Sequence, residues 1–263
     1  MSRAQIKELY VYPIKSLRGV RLSEVPIEKS GPALDRQFMI VDKDGQFITQ
    51  RTHPEMAKIG VSLHDNAWIE LSLMEHGQVD FGLGEHEPEE IDVKIFKSTM
   101  KGQEVSPEVS EWLSEVLKQP VRLVSMVENG GRVFDAENFP EQTTRFTDAR
   151  PLLVISDASL DLLEQKIGSR MSMARFRPNV VVQGCDPHAE DSWGPIKMGR
   201  IQLEPSRACT RCKITTVHPL TGQVGEEPLK TLGTYRQGEK GIEFGYYYVP
   251  VSQGSLRTGD MVE

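Results

Sequence analysis

Two cysteines, Cys209 and Cys212, stand two residues apart in the segment ACTRCKITTVHPLTG. A thiolate binds soft metals and acts as a nucleophile, so a close pair can form half of a zinc site or a dithiol redox pair. A less symmetrical arrangement, with one reactive thiolate beside an unequal neighbour, is a third interpretation. The two residues can also be buried cysteines without chemistry, because cysteine often packs as a small apolar side chain.

The sequence around the pair weakens the two symmetrical interpretations. A structural zinc site needs four ligands, and no second C-x-x-C pair is present. Cys185 with His188, or His218, would complete such a site only if the fold brought them close. A thioredoxin-like dithiol usually lies at a helix N-terminus. The β-branched run KITTV after Cys212 predicts a strand there instead.

Four basic residues stand in unusual local settings. Lys15 follows a proline at the end of a predicted strand, Arg36 opens a strand, and Arg177 precedes another. Arg211 lies between the two cysteines. Each alone is more often a surface charge, but together they suit a phosphorylated anionic ligand beside one thiolate, because Lys, Arg and backbone N–H groups bind phosphate. A thiolate in that place also favours a heavy or soft metal.

Composition and charge limit the classes of function. The 263 residues carry a net charge of −7, which argues against general nucleic-acid binding, because that function needs clustered basic residues. Their 38% hydrophobic and 26% charged content is typical of a soluble globular protein, and no apolar run approaches the roughly 20 residues of a membrane helix. The N-terminal segment resembles no secretory signal, and three cysteines suit reduced thiols. We therefore expect a cytoplasmic protein that binds neither nucleic acid nor membrane.

The candidate residues must be positioned by a fold rich in strands. The first hundred residues contain short apolar runs separated by Gly, Pro and Asp, including a hairpin signal at Asp44-Gly45, which suggests a barrel or sandwich. Further along, the spacing of apolar residues predicts a helix capped by Ser106. We expect an α+β, mainly β chain, with an N-terminal β-barrel-like domain at 1–100 and a second β-barrel with peripheral helices at 101–263.

The second part of the chain mixes strands and helices around a long polar segment. Positions 128–150 are polar and aperiodic, and loops of that length are usually functional or disordered. A buried strand is predicted at 152–155, and a helix capped by Ser156 or Asp157 follows it.

Other chemical motifs are absent or weak. The GLG at 82–84 lacks the third glycine of a dinucleotide fingerprint, and there is neither a P-loop nor an H-E-x-x-H motif. Met171 and Met173 are predicted to pack against other side chains. His218, next to a proline, is interpreted first as a turn residue and only second as an acid or base.

Four segments together resemble a known family. LYVYPIKSLRGV, LDRQFMIVDKDGQFITQR, FRPNVVVQGCDPHAEDSW and ACTRCKITTVHPLTG occur in the order typical of MOSC proteins with an N-terminal MOSC β-barrel domain. This family includes the mitochondrial amidoxime-reducing component and bacterial proteins that confer resistance to N-hydroxylated bases. The resemblance runs from about residue 6 to the end of the sequence, and it implies that the second predicted barrel is a MOSC domain.

The resemblance also implies a cofactor and its contacts. Members bind the molybdenum cofactor, in which the dithiolene of a phosphorylated pterin holds molybdenum and one protein cysteine is an additional ligand. By its place in C-x-R-C, that catalytic and metal-binding cysteine is Cys212, and Cys209 is its neighbour. The other cofactor contacts that the resemblance implies are Lys15, Ser16, Arg36, Asp148, Arg177, Asn179, Thr210 and Arg211.

Two features depart from the family pattern. The amidoxime-reducing component has a hydroxyl pair directly before the proline that opens a strand, where this chain has Ala149-Arg150. Asp148 is then the one residue of that loop for which a contact is still expected. Some bacterial relatives continue into a ferredoxin-like domain with an iron–sulfur cluster, for which this chain has too few cysteines.

Two functional hypotheses follow from the resemblance. In the first, the chain is an oxidoreductase that removes oxygen from N-hydroxylated substrates such as amidoximes, hydroxylamines and N-hydroxylated bases, with electrons from a separate flavin or iron–sulfur protein. In the second, it is a carrier or binding module that holds the cofactor or delivers sulfur without reducing anything. Reductase activity with an artificial reductant distinguishes the two.

Overall fold

The computed structural model describes residues 4–64, 67–84, 86–127, 131–134, 139 and 142–263. Short strands account for most of its regular structure, and their bounds are β1 (Gln5–Val11), β2 (Val20–Leu22), β3 (Glu24–Glu28), β4 (Gly31–Pro32), β5 (Phe38–Asp42), β6 (Gly60–His64), β7 (Trp68–Leu73), β8 (Gly77–Gly82), β9 (Glu90–Ile95), β10 (Ser98–Glu104), β11 (Val121–Met126), β12 (Arg132–Val133), β13 (Thr143–Thr144), β14 (Leu152–Ser156), β15 (Val180–Gln183), β16 (Ile196–Met198), β17 (Ile201–Thr210), β18 (Gln237–Gly238), β19 (Gly241–Pro250) and β20 (Gly254–Arg257). The α-helices within these residues are α1 (Pro107–Leu117), α2 (Asp157–Ile167) and α3 (Leu229–Leu232).

An eight-stranded sheet forms the centre of the fold. Its strands follow the order β16-β17-β19-β14-β15-β1-β2, and β18 pairs with β19. Strands β14 and β15 run parallel and are joined through α2, because a parallel pair needs a long crossover connection. Strand β1 pairs with β15 in antiparallel orientation, so the N-terminal strand belongs to the same sheet as the C-terminal half.

Smaller sheets surround this central one. Their orders are β5-β11-β10-β9, β6-β7-β8, β20-β3-β4 and β12-β13. The pattern of apolar residues explains which strands have one buried face. In β3, the sequence EVPIE buries Val25 and Ile27 and exposes Glu24, Pro26 and Glu28. In β14, the sequence LLVIS is buried along its whole length, as suits a strand with neighbours on both sides.

Two large apolar clusters hold these sheets together. One contains the fully buried side chains of Ile14, Phe38, Phe81, Leu113 and Leu123, and it joins α1 to strands β8 and β11. The other lies along β1, β14, β15 and β17. Because residue 14 and strand β5 belong to the first cluster and β1 to the second, the loop after β1 is fixed at both ends by packing.

The mainly β prediction is confirmed, and so are the main helices. Helix α1 begins after Ser106 at the N-cap, although the serine side chain makes no capping hydrogen bond. Helix α2 is capped by Ser156, whose hydroxyl accepts from the Ser159 N–H. The predicted turn at Asp44-Gly45 is also present.

The strand predicted after Cys212 is wrong. Residues Lys213–Thr216 form a 3-10 helix with Cys212 at its N-cap position. The Thr215 hydroxyl donates to the Cys212 carbonyl at 3.0 Å, and the Thr216 hydroxyl donates to the Lys213 carbonyl at 2.8 Å. These side-chain bonds stabilise the tight turn and override the β preference of the run.

The predicted division near residue 100 stays a prediction. Strand pairing continues across that position, since β11 lies between β5 and β10. Parts of the polar segment 128–150 lie outside the described residues, and its described parts include the pair β12 and β13. Among the described residues, no helix combines the length and apolar character that crossing a membrane requires.

The burial of α1 gives a first testable prediction. Leu113 is fully buried between α1 and the strands, so Leu113→Ala should lower the free energy of unfolding by about 2–5 kcal/mol through lost packing and a residual cavity. Urea denaturation followed by circular dichroism measures this. Glu111→Ala, on the exposed face of the same helix, is the matched control and should change it by less than about 0.5 kcal/mol. Equal losses in both variants would contradict the packing described for α1.

Candidate functional site

A cavity of about 260 Å³ collects Cys212 and every residue for which the family resemblance implies a cofactor contact. The segments that line it are the loop after β1, the loop before β5, the loop before β14, the loop before β15, and the end of β17 with the residues that follow. The predicted residues that these segments contribute are Lys15, Ser16, Arg36, Asp148, Arg177, Asn179, Thr210, Arg211 and Cys212. Three cations from distant parts of the sequence, Lys15, Arg36 and Arg177, therefore line one cavity with Cys212.

Backbone hydrogen bonds bring these loops together. The Lys15 N–H donates to the Phe38 carbonyl at 2.9 Å, and the Arg36 N–H donates to the Tyr12 carbonyl at 2.7 Å. The Phe146 N–H donates to the Arg36 carbonyl at 3.0 Å, which attaches the loop before β14 to the same point. The convergence of the basic residues is thus set by the main chain.

Three of the site residues have left-handed backbone conformations. The φ angles are 68° at Ser16, 49° at Arg36 and 55° at Arg177. Such angles cost a residue with a side chain about 1–3 kcal/mol each, and they persist only where the surrounding structure compensates. Their concentration at one cavity supports its choice as the candidate functional site.

The cavity is strongly basic although the protein is acidic. Among the residues that the structure describes, its lining includes eight basic side chains and a single carboxylate, that of Asp148. The basic residues are Lys15, Arg36, Arg51, Arg150, Arg175, Arg177, Arg207 and Arg211. Basic side chains repel one another at short range, so an arrangement of this kind favours an anionic ligand.

Lys15 and Asp148 form the ion pair of the cavity. The Lys15 side chain is 4% exposed, and its Nζ donates to the Phe146 carbonyl at 2.9 Å and to the Asp148 carboxylate. Burial lowers the pKa of Lys15, and the charge of Asp148 opposes that change. Burial alone would raise the pKa of Asp148. The charge and hydrogen bond of Lys15, followed by the charge of Arg51, outweigh the effect of burial and lower this pKa to about 2. Asp148 is therefore ionised at neutral pH.

Two guanidinium groups lie against the Tyr12 ring. The Cζ atom is 4.3 Å from the ring centroid for Arg36 and 4.2 Å for Arg177, and the tyrosine is buried. A cation over an aromatic face is stabilised by the ring quadrupole, which offsets part of the repulsion between the two arginines. Burial, followed by the nearby charge of Arg36, lowers the pKa of Arg177 to about 10.

Asn179 lines the cavity, but its side-chain amide is hydrogen-bonded to protein groups behind the cavity wall. Its Oδ1 accepts from the Leu153 N–H at 3.1 Å, and its Nδ2 donates to Asp35 Oδ1 at 3.0 Å and to the Tyr10 carbonyl at 3.3 Å. Asp35 in turn accepts from Arg36 Nη1 at 2.5 Å. The amide therefore positions Arg36 through Asp35, a residue that sequence reasoning missed.

Several arginine nitrogens in the lining are buried without a hydrogen-bond partner among the described residues. They are Nη2 of Arg177, Nη2 of Arg211 and Nε of Arg207. Buried donors are rarely left unpaired, because an unmade hydrogen bond costs free energy. These nitrogens, together with the charge, indicate a ligand that presents acceptor oxygens.

The two cysteines differ in their surroundings. Cys212 is exposed and free at the cavity mouth, whereas Cys209 is 2% exposed at the end of β17. Burial raises the pKa of the Cys209 thiol, which is hydrogen-bonded to the Tyr247 side chain. Cys212 is therefore the accessible thiol of the pair.

The other proposed metal and acid–base residues do not join this site. Cys185 lines one separate cavity and His218 lines another. His218 Nδ1 accepts from the Leu220 and Thr221 N–H groups at 3.3 Å, in agreement with its interpretation as a turn residue. In the described ranges, no group of three or more His, Cys, Asp or Glu residues could hold a metal ion.

Sequence reasoning missed several residues that line the cavity. Arg51 stands in the ITQR that ends one of the family segments, so its position offered a signal. Arg175 and Arg207 offered none, because nothing in their local sequence distinguishes them from surface charges. At the atypical Ala149-Arg150 position, Arg150 Nε donates to the Ser206 hydroxyl at 2.9 Å. This loop therefore adds a cation to the lining at that position.

Two protein-family models cover most of the chain. The MOSC N-terminal beta barrel domain matches residues 3–120, and the MOSC domain matches residues 141–263. Mitochondrial amidoxime reducing component 2 of Macaca fascicularis is 32% identical to the chain, over 98% of the chain and 82% of that protein. Mitochondrial amidoxime-reducing component 1 of Homo sapiens is 30% identical with the same coverage. Among solved structures, the YUAD protein of Bacillus subtilis aligns with 98% of the chain and 93% of its own at 12% identity, and its TM-score of 0.44 is too low to support an argument.

The basic lining predicts phosphate binding. Inorganic phosphate should raise the melting temperature of the protein, because it binds the folded state at the cavity. Arg177→Met should weaken this binding by about 30-fold or more, which corresponds to about 2 kcal/mol for a buried charge contact. Thermal shift against phosphate concentration measures the effect. Arg170→Met, whose side chain is 90% exposed outside the cavity, is the control and should behave as the wild type; equal weakening in both variants would contradict the site.

The depressed pKa of Asp148 predicts a pH dependence of stability. The folded-state pKa of about 2 lies below the usual aspartate value of 3.8, so the ionised carboxylate stabilises the fold above about pH 4, and this contribution is lost as the pH falls toward 2. The difference in unfolding free energy between wild type and Asp148→Asn should therefore shrink from pH 5 to pH 3. Urea titrations at the two pH values measure it. A difference that stays constant or grows toward acid pH would show that the ion pair with Lys15 has no such role.

Proposed function

We propose that this chain, which belongs to the MOSC proteins with an N-terminal MOSC β-barrel domain, is a molybdenum-cofactor-dependent oxidoreductase that reduces N-hydroxylated substrates. The observation that carries the proposal is a cavity with eight basic residues beside one exposed, free cysteine. The names of its relatives, which describe amidoxime reduction, support the substrate class.

The residues of the cavity fit the charge of this cofactor. A phosphorylated pterin carries acceptor oxygens and negative charge, and the lining offers basic side chains with unpartnered donor nitrogens on Arg177, Arg207 and Arg211. A metal held by dithiolene sulfurs is soft, and a cysteine thiol is a soft ligand. The Cys212 thiol is exposed, so a metal can reach it without a rearrangement of the protein. Charge and ligand type therefore agree with the cofactor.

Each residue then has a defined part in holding the cofactor. Lys15, Arg36 and Arg177 would bind its anionic groups, and Cys212 would be the protein ligand of the metal. Ser16, Thr210 and Arg211 line the same cavity and would complete the contacts. Asp148 would act mainly by orienting Lys15, whose Nζ donates to one of its oxygens. Asn179 would orient Arg36 through Asp35, since its amide atoms are engaged by protein groups.

When bound, the cofactor would supply a metal centre that takes the oxygen of the N-hydroxyl group, with two electrons and protons from outside releasing it as water. The chain's own residues would orient the bound groups and supply the positive charge of the cavity. Asp148 is ionised at neutral pH, so it accepts hydrogen bonds there and does not donate a proton. Lys15 Nζ is held between the Asp148 carboxylate and the Phe146 carbonyl, and these two contacts fix the position of the ammonium group inside the cavity.

Electrons would come from a separate flavin or iron–sulfur protein. The sequence contains no dinucleotide fingerprint, and its three cysteines are too few for an iron–sulfur cluster. The partner would approach the cavity mouth at Cys212, which is exposed. The cytoplasmic location stays a prediction, and the relatives are named for the mitochondrion.

A carrier role has one observation in its favour. A sulfur carrier needs an accessible thiol, and Cys212 is exposed. The eight basic residues favour tight retention of an anionic group instead, and for this reason we place the reductase first.

The two cysteines should differ in their effect on metal content. Protein made in a host that synthesises the molybdenum cofactor should contain about one molybdenum per chain, held through a single soft thiolate. Cys212→Ala should lose the metal and the reduction of benzamidoxime, and Cys209→Ala should keep most of both. Elemental analysis and a reductase assay measure the two quantities. If both folded variants lose molybdenum equally, the site uses the pair as a dithiol and the asymmetrical assignment is wrong.

The source of electrons gives a separate prediction. Molybdenum-loaded protein should reduce benzamidoxime with a chemical reductant and should show no turnover with NADH or NADPH alone, because no nucleotide fingerprint is present. Addition of a flavin reductase should restore dependence on NADH. Turnover with NADH before that addition, in protein free of contaminating reductase, would reveal a nucleotide site within this chain. No turnover with the chemical reductant, despite full metal loading, would favour the carrier role.

A further inference from the structure

A second cavity of about 310 Å³ lies behind one wall of the candidate site. Arg175, Arg177 and Ile214 line both cavities, whereas Cys212 lines only the first. A ligand in the second cavity would therefore be separated from the exposed thiol. It would nevertheless contact side chains that also line the basic site.

The basic residues of the second cavity have no acidic partner. Arg18, Arg175 and Arg177 line it, and no Asp or Glu does so among the residues that the structure describes. In the described part of the chain, each of these guanidinium groups donates to one main-chain carbonyl, at 3.0, 3.2 and 2.6 Å respectively, and to no carboxylate. Burial lowers the pKa of Arg18 and that of Arg175. Because a cation removed from water without a counter-ion is costly, the cavity favours an anionic ligand.

Much of the remaining lining is apolar. Ala57, Ile214 and Val217 are buried residues of the lining, and Leu220, which also lines the cavity, is 61% exposed. A ligand that covers such a leucine gains free energy from the apolar area that it buries. The Tyr12 ring is 2% exposed and lies against two guanidinium groups, so it is no stacking surface for a flat ring. The lining therefore suits an anionic head group on an aliphatic body.

We propose that the second cavity is an effector site for a small aliphatic carboxylate, and that its occupant weakens anion binding in the basic cavity. The carboxylate would bind Arg18 and Arg177, and the aliphatic part would lie against Val217 and Leu220. Since Arg177 lines both cavities, an anion in each would contact the same side chain. Two anions at such short range repel each other, so each lowers the affinity for the other by the same factor. Such a site needs neither the cofactor nor a substrate, and it goes beyond the proposed reductase function.

Calorimetry on the full chain, purified without metal and kept in phosphate-free buffer, measures binding to this site. The probes are hexanoate, acetate and hexan-1-ol, which separate the contribution of the charge from that of the aliphatic body. Hexanoate should bind at least about tenfold more tightly than either of the others, because it alone contacts both the arginines and the apolar wall. Acetate binding as tight as that of hexanoate would show a general anion site, and equally tight binding of hexan-1-ol would show an apolar site without charge recognition. Either result would overturn the proposal.

A variant at Arg18 separates the two cavities, because Arg18 lines the second and does not line the first. Arg18→Met should weaken hexanoate binding at least about tenfold and leave phosphate binding unchanged. Arg170→Met, whose exposed side chain lies outside both cavities, is the control and should bind both anions as the wild type does. An unchanged hexanoate affinity in Arg18→Met would place the carboxylate outside the second cavity and contradict the proposal.

A pair of variants at Leu220 gives a second test at an exposed position, where a polar side chain does not disturb folding. Leu220→Glu and Leu220→Gln introduce side chains of nearly equal size that differ by one charge. Leu220→Glu should bind hexanoate at least about fivefold more weakly than Leu220→Gln, because like charges repel. Equal affinities in the two variants would show that the carboxylate does not bind beside this wall.

Phosphate titrations at increasing hexanoate concentration measure the coupling between the cavities. The apparent Kd for phosphate should rise by about fivefold or more and then stay constant, because coupling between two separate sites reaches a limit. A Kd that rises without limit would mean that hexanoate competes for the basic cavity itself, and a Kd that does not change would mean that the cavities are independent. Both results would overturn the effector role, whereas neither depends on whether the loaded protein reduces N-hydroxylated compounds.

Discussion

The repulsion among eight basic side chains around one cavity is the constraint on which the rest of the structure depends. The chain has a net charge of −7, yet Asp148 supplies the only carboxylate that the described part of the chain contributes to the lining. Asp35 lies directly behind Arg36. The remaining positive charge is stabilised by carbonyl oxygens and by the ring of Tyr12, against which the guanidinium groups of Arg36 and Arg177 lie. An anionic ligand would balance the positive charge that the protein leaves uncompensated, and this excess charge is the physical reason for the proposed cofactor.

The fold meets this constraint by anchoring loops that come from both ends of the chain. Strand β1 lies antiparallel to β15 in the central sheet, so the loop after β1 and the loop before β15 lie next to each other at the same end of the two strands. Hydrogen bonds between backbone groups of Lys15 and Phe38, and of Arg36 and Tyr12, then lock the loops to each other. Side chains on such loops are held with little freedom, which reduces the cost of ordering them around a ligand.

Local patterns in the sequence predicted much of the fold and only part of the site. The buried run before α2 and the helical spacing in α1 were sufficient for those elements, because their packing follows periodicity. The KITTV run led to a wrong strand prediction. Threonine is common in strands, but its hydroxyl can also donate a hydrogen bond to a carbonyl in a tight turn, as it does here. Tyr12, Asp35 and Arg207 could not be predicted, since their roles arise from contacts between distant segments that no local pattern records.

The central claim is that the basic cavity holds a phosphorylated molybdenum cofactor through Cys212. Crystals of protein purified from a host that makes this cofactor, measured on both sides of the molybdenum absorption edge, test it most directly. We predict one anomalous peak at bonding distance from Cys212 Sγ, with density for the phosphorylated group among Lys15, Arg36 and Arg177. An anomalous peak at Cys209 or outside the cavity, or density for an unrelated ligand there, would contradict it.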